Sequence, residues 1–337
     1  MATNQQVVLA SRPEGALSAE NFRLMESELP ALEDGQFLIK NLYLSLDAGF
    51  RQWMNEGASD NYLSAMPLDA PVQSIVLGRI AESRHPEYPE GALVMGRTAW
   101  ETWSVADGSD LMTIIDESEG VPLHEYLAAL GPAGMTAYFG LLDIGRPRRG
   151  DNILVSAAGG GVGAIVGQIA KIKGCRTVGM SSSEEKCAWL RDELNYDAAV
   201  NYRAGEDLSS QLEHQFPDGL DIYFDNVGGA LLDTAMQHLA LGARIVLCGA
   251  ISQYDTDSHE GIHHMWELIT KRARAEGFMF SDYMDRYPEA IAEMSDWIAA
   301  GKLSSPVTVA DGIGETAQAY SDMLTGKSRG KCLVKLA

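Results

Sequence analysis

The sequence predicts an α/β protein: a doubly wound parallel sheet joined to a smaller, mostly β domain. Three observations predict it. From about Leu127 onward, short apolar runs alternate with stretches of helical spacing. Three consecutive glycines, Gly159-Gly160-Gly161, sit between one such run and the helical pattern that follows. Up to about Leu123 the chain is instead irregular and β-like, punctuated by glycine and proline.

In the first part, Phe37-Leu38-Ile39, Asn41-Leu42-Tyr43-Leu44 and Ser74-Ile75-Val76-Leu77 read as strands, with turns at Glu33-Asp34-Gly35 and Tyr88-Pro89-Glu90-Gly91. In the second, strands are expected at Asn152–Ser156, Arg176–Met180, Ala199–Tyr202, Asp221–Asp225, Ala243–Cys248 and Ala275–Phe280. Six strands with helices between them make a sheet that binds ligands beyond its carboxyl edge. Ile291, Met294 and Ile298 mark a helix stopped by Gly301, and Lys331–Leu336 reads as a strand returning to the first domain's sheet. The expected division is residues 1–126 with 299–337, and 127–298.

The chain has 337 residues, long enough for two domains, and its composition of 46% hydrophobic and 22% charged residues is ordinary for a globular protein. A net charge of −21 disfavours nucleic acid and anionic membrane surfaces, because both require neutralising Lys and Arg. No apolar run is long enough to span a bilayer, and the start of the chain lacks the pattern of a secretory signal. Cys175, Cys187, Cys248 and Cys332 are scattered, as suits a reducing, cytoplasmic setting.

The stretch from Ile153 to Gly163 is the centre of the reading. Ile153–Ser156 is a buried strand, and Val162, Ile165, Val166, Ile169 and Ala170 recur at helical spacing, so a helix starts near Val162. Strand, glycine turn and helix N-terminus together form a phosphate-binding pattern. The glycine set is Ala158-x-Gly160-x-Val162-Gly163, with alanine at the first position. About twenty residues further on, an NAD site carries an acid for the ribose hydroxyls. Here the second strand ends in Ser181-Ser182-Ser183, followed by Lys186. Hydroxyls and an ammonium group favour a 2′-phosphate, so NADP is the expected coenzyme. Glu184 and Glu185 fit the first turn of a helix, where the dipole favours them, and are expected to point away.

The stretch Ala157–Lys171 resembles the zinc-independent medium-chain dehydrogenases/reductases. It is most similar to the group of leukotriene B4 12-hydroxydehydrogenase, prostaglandin reductase, curcumin reductase and alkenal double-bond reductase. Asn41–Asp47, Gly134–Tyr138, Phe224–Gly229 and Cys248–Ser252 carry the same likeness in order along the chain. The resemblance implies a GroES-like catalytic domain built from both chain ends, a Rossmann domain, and a homodimer. It implies NADPH contacts at Gly160, Gly161, Val162 and Gly163, at Ser181, Lys186 and Tyr202 on the 2′-phosphate side, and at Asn226. Ala250, Ile251 and Ser252, with a strand Phe278-Met279-Phe280, fall on the nicotinamide side. The group's closing motif, Gly-x-Asn-x-Gly-Lys, reads here Gly326-Lys327-Ser328-Arg329-Gly330-Lys331, which puts Ser328 in the asparagine's place. After Asp47 the group commonly has Pro-Tyr-Met-Arg; this chain has Ala48-Gly49-Phe50-Arg51, losing a ring and a phenol.

The zinc-dependent members' cysteine and Gly-His-Glu segment are missing, and His263-His264 reads as a loop or helix-start feature. No metal is expected. Metal-free reduction of a conjugated C=C bond asks only for hydride at the β-carbon, a donor for the enolate oxygen and a proton for the α-carbon. The substrate class is a small apolar enone, ketone or aldehyde. The resemblance makes Tyr283 the candidate donor, with Tyr254 and Tyr62 as weaker candidates; Trp53, Trp100 and Trp103 are either cleft-lining or core. The alternatives are a quinone reductase or secondary-alcohol dehydrogenase, and, in another class, a non-catalytic NADP-binding protein.

Overall fold

The computed structural model describes residues 3–117, 120–255 and 261–336. In chain order it begins with β1 (Thr3–Leu9), β2 (Phe22–Glu28), β3 (Phe37–Leu46), β4 (Gln73–Ser83), β5 (Leu93–Ala99), β6 (Trp103–Ala106) and β7 (Thr113–Ile114). Helix α1 (Pro132–Phe139) precedes β8 (Asn152–Val155), α2 (Gly161–Ile172), β9 (Arg176–Ser181), α3 (Glu184–Asp192) and β10 (Ala198–Asn201). Then come α4 (Leu208–Gln215), β11 (Leu220–Asp225), α5 (Gly229–Met236), β12 (Leu239–Leu247), α6 (Trp266–Thr270) and β13 (Arg274–Gly277). The chain closes with α7 (Tyr287–Ala299), β14 (Val307–Asp311), α8 (Thr316–Leu324) and β15 (Lys331–Lys335). None of the described helices is long and apolar enough to cross a membrane.

Two compact units result. One holds the chain up to Leu127 with Val307–Lys327 and the stretch from Cys332; the other holds Ala128–Pro306 and Ser328–Lys331. The second boundary therefore lies at Val307, later than the residue 299 expected. The Gln168 side chain explains the shift: its amide donates to Ser304 O at 2.9 Å and its carbonyl accepts from Ser304 N at 2.8 Å, tying the segment to α2.

In the first unit, β14, β15, β3, β4, β5 and β7 lie side by side with β6 also on β3, while β1 and β2 form a separate hairpin. The chain's last strand does return, with Cys332 opposite Leu46 and Val334 opposite Leu44 in antiparallel register. The two expected strands around Asn41 are one strand, β3, with a register shift between Asn41 and Tyr43. A polar residue is tolerated there because Asn41 Nδ2 donates to Glu101 O at 2.8 Å and Ser104 Oγ at 2.9 Å. Trp100 belongs to this unit's core, 1% exposed among Phe22 and Tyr320.

In the second unit all six strands are parallel, in the order β10-β9-β8-β11-β12-β13. Ile153, Leu154 and Val155 are wholly buried because helices cover both faces, which is why the run reads apolar throughout. Each such side chain contributes about 1.5–3 kcal/mol by leaving water. The chain travels outward from β8 through β9 to β10, then restarts on β8's other side with β11. The order reverses between β8 and β11, and a doubly wound sheet opens its ligand crevice at that point.

One expected strand fails. The sixth ends at Gly277, and Phe278, Met279 and Phe280 lie beyond it, Phe280 opening a 3₁₀ turn to Arg286. The ladder has no partner to continue on: Leu247 opposite Gly277 is its last pair, after which the Cys248 and Gly249 N–H groups turn to Asp225 O.

Candidate functional site

Helix α2 begins at Gly161 on an N-cap glycine, Gly160, that provides no side-chain cap. Its first N–H groups thus meet no side chain of their own, as an anion site requires. Gly163 is obligatory. A Cβ there would stand 2.5 Å from Ala157 O and 2.7 Å from Ala158 Cα, so the helix could not approach the strand end. The alanine at the first glycine position is accommodated across the sheet. A Cβ on Gly179 of β9 would lie 2.8 Å from Ala158 Cβ, and the missing side chain makes that room. Tyr196, 3% exposed, then locks the helix start by donating its hydroxyl to Gly163 O at 2.6 Å. Burial raises that phenol's pKa, keeping it a donor. The motif's spacing gave no hint of Tyr196, which sequence reasoning missed.

The expected 2′-phosphate residues converge on the neighbouring strand ends. Ser181 closes β9, and its carbonyl accepts the Tyr202 N–H at 3.2 Å. Ser183 caps α3 by accepting the Lys186 N–H at 3.3 Å. Around Gly159 the position of a Cβ would be 3.4 Å from Lys186 Cδ, 3.8 Å from Trp189 Cζ3 and 3.9 Å from Ser181 Oγ. Glu184 and Glu185 do face solvent from the first turn of α3, with side chains 73% and 80% exposed, paired to Arg191 and Arg329. Ser328 belongs to a short segment that returns to this turn: Gly330 donates to Gly159 O at 2.9 Å and pairs with Gly160 as a parallel bridge.

The ends of β8 and β11 are joined by hydrogen bonds. Asn226 donates its backbone N–H to Ser156 Oγ at 2.8 Å and its amide to Ser156 O at 2.7 Å. Beneath it Asp225, wholly buried, accepts from Ser156 Oγ, from the Tyr223 hydroxyl at 2.8 Å, and from the Val227 and Gly228 N–H groups. Burial raises its pKa, and those donors counter the shift. Asp225 is an anchor that sequence reasoning passed over; an acid ending the apolar run Ile222-Tyr223-Phe224 was its signal.

The loop after β12 docks on the loop after β11. Ser252 N and Oγ both donate to Val227 O, at 3.1 and 2.7 Å, and the Ile251 N–H reaches Asn226 O at 3.5 Å. Asn226, Ala250, Ile251 and Ser252 are thereby assembled. Tyr254 ends this loop. Its hydroxyl oxygen accepts the Ala250 N–H at 3.1 Å, and burial raises its pKa.

Tyr283 does follow the sixth strand, but that strand ends earlier than expected, at Gly277. It lies in the 3₁₀ turn, its ring stacked on Phe139 at 4.4 Å and 9°, with the Arg286 guanidinium over both rings. Its surroundings form an open hollow of about 430 Å³ lined by Leu142, Asp143, Ile144, Arg146 and Glu276. Charged walls suit an apolar enone poorly. Phe278 packs against Gly140, where a Cβ would stand 2.4 Å from its ring, and Met279 is exposed. In the first unit the Tyr62 ring lies tilted against Trp53 at 5.6 Å, and Trp53 Nε1 donates to Asp60 at 3.1 Å. His263 and His264 both donate backbone N–H groups to Asp233 just before α6, a helix-start arrangement. Among the described residues, no group of three or more His, Cys, Asp or Glu side chains could hold a metal ion.

Comparison with known proteins places the chain among oxidoreductases. A family model described as the N-terminal domain of oxidoreductase matches residues 5–114, and one described as zinc-binding dehydrogenase matches residues 161–299. The NADPH-dependent curcumin reductase of Escherichia coli (strain K12) is 37% identical over 99% of this chain and 97% of its own length. An NADP-dependent 2-alkenal reductase of Nicotiana tabacum is 39% identical over 89% of this chain and 87% of its own. The crystal structure of CurA in complex with NADPH from Vibrio vulnificus superposes with a TM-score of 0.92 at 38% identity, covering 99% of each chain.

Proposed function

We propose, from the premise that this chain belongs to the medium-chain dehydrogenase/reductase family, in the group of NADP-dependent reductases, that it reduces the C=C bond of small α,β-unsaturated ketones or aldehydes. The chain is an NADP-dependent oxidoreductase. The residues fit that coenzyme: the uncapped α2 N-terminus accommodates phosphate, and the end of β9 carries Ser181 where an NAD site has an acid. NADPH, when bound, supplies the hydride for the β-carbon of the conjugated system.

The chain's own residues do the rest. Gly161, Val162 and Gly163 offer backbone N–H groups to the pyrophosphate beside Gly160, whose own N–H closes the turn on Ala157 O at 2.9 Å, and Ser181, Lys186 and Tyr202 receive the 2′-phosphate. Asn226, Ala250, Ile251 and Ser252 orient the nicotinamide end, while Ser328 contributes from the returning segment. As the enone takes up hydride, charge grows on its carbonyl oxygen, a placed donor stabilises it, and a proton from a phenol or water then completes the α-carbon. We assign that donor to Tyr254 rather than Tyr283. The single observation carrying the assignment is the half-buried Tyr254 phenol at the β12 carboxyl end, its oxygen accepting the Ala250 N–H. That bond fixes the phenol against the loop that carries Ala250, Ile251 and Ser252.

The test uses NADPH deuterated at C4 with an enone, a quinone and an allylic alcohol. Deuterium on the β-carbon of a saturated ketone supports the reading. Deuterium on a carbinol carbon, or turnover of the quinone alone, would move the enzyme to one of its rivals. Coenzyme binding with no oxidation across a broad enone panel would make it a non-catalytic binder.

A further inference from the structure

We infer that Arg329 is a second cationic contact for the coenzyme's 2′-phosphate, held beforehand by Glu185 and exchanged from it on binding. This rests on the NADP reading above. In the group's closing motif, the position after the asparagine carries no fixed residue type; in this chain it is an arginine. Arg329 immediately precedes Gly330, whose N–H is bonded to Gly159 O, so the glycine turn itself fixes where the arginine's backbone stands. Its guanidinium lies over the Trp189 ring at 5.6 Å. Lys186, Trp189 and Ser181 are the side chains nearest a Cβ at Gly159, at 3.4, 3.8 and 3.9 Å. Arg329 thus borders the same small region as the other 2′-phosphate residues, and Trp189 holds its guanidinium plane.

Charge supplies the exchange. Arg329 Nη2 meets Glu185 Oε1 at 2.5 Å, but the glutamate side chain is 80% exposed, and a solvated pair of this kind holds weakly. A phosphate monoester carries up to two charges and three acceptor oxygens, and matches the guanidinium fork better than one carboxylate does. Glu185 therefore acts as a stand-in anion that also lowers affinity, because it must be displaced.

The experiment is calorimetric binding of NADP⁺ and NAD⁺ to the full chain, with no turnover required. Arg329→Gln is expected to weaken NADP⁺ about tenfold while NAD⁺ changes less than twofold. Glu185→Gln is expected to tighten NADP⁺ several-fold, and this gain should vanish in the double variant. If Arg329 were only a clamp on α3, both single variants would weaken both coenzymes alike, and that outcome overturns the inference. Arg329→Lys guards against loss of fold: it keeps a cation and should retain part of the preference for NADP⁺. If Lys186→Ala abolishes that preference but Arg329→Gln leaves it intact, this inference fails and the NADP reading stands. If the unmodified protein has no preference for NADP⁺, both fail.

Discussion

The two ends of the sheet's carboxyl edge are built by different means. At the β8–β9 end the geometry is made by backbone: an uncapped helix start, a glycine that no other residue can replace, and an alanine fitted against a missing side chain at Gly179. At the β11–β12 end it is made by side chains, with buried Asp225 gathering donors and Ser252 bonding one loop to the other. Backbone sites hold a ligand common to many enzymes. Side-chain sites can be retuned one residue at a time, and they sit where substrate is distinguished.

The sharpest way to break the contrast is at the side-chain end. Tyr254→Phe removes a phenol hydrogen while keeping the ring, and should lower kcat about a hundredfold with coenzyme affinity intact. Burial raises the pKa of this phenol, so its protonated, donating form persists to higher pH than that of an exposed tyrosine. Turnover in the unmodified protein should therefore show no alkaline fall from this group below about pH 10. Wild-type kcat in Tyr254→Phe would remove the residue from the chemistry.

At the backbone end the largest effect is expected from the smallest addition. Gly163→Ala places a methyl group against Ala157 O and Ala158 Cα, so the helix start must move away from the strand. The cost is about 2 kcal/mol of stability from overpacking, with weakened binding of both coenzymes alike. Thermal unfolding and calorimetry measure the two; an unchanged Tm would mean the turn yields where the close approach says it cannot.

These two ends also differed in how far sequence could reach. The glycine turn and the solvent-facing Glu184 were legible because each follows from local backbone chemistry within a few residues. The β12–β13 side was less so. Phe278–Phe280 has the composition of a strand, but a strand needs a partner, and β12 ends its ladder at Leu247. Likewise, Tyr254 and Tyr283 both follow sheet strands at short range. Only tertiary structure reveals that the first closes back on Ala250 while the second stacks on Phe139. Tyr196 was missed for the same reason, since its partner Gly163 lies 33 residues away, and so was the bond from Ser156 to Asp225 across 69 residues.

A moderate effect separates charge from shape at the backbone end. Lys186→Ala removes one ammonium beside the glycine turn and should raise the KM for NADPH roughly ten- to thirtyfold, with NADH within about twofold. Equal losses for both coenzymes would assign Lys186 to packing around Gly159, and unchanged NADPH kinetics would remove it from the site.

The smallest effect is the most decisive for the comparison, because it concerns the residue that resemblance favoured. Tyr283 presents its ring to Phe139 and to the Arg286 guanidinium, and neither interaction uses the hydroxyl. Tyr283→Phe keeps both, so kcat should stay within about twofold and Tm should hardly move. Tyr283→Ala empties the stack and should cost about 1 kcal/mol of stability, the usual worth of an aromatic pair, again with little change in kcat. A tenfold fall in kcat for the Phe variant alone would reverse the assignment: the phenol in the 3₁₀ turn would then be reaching substrate, and Tyr254 would be holding its loop.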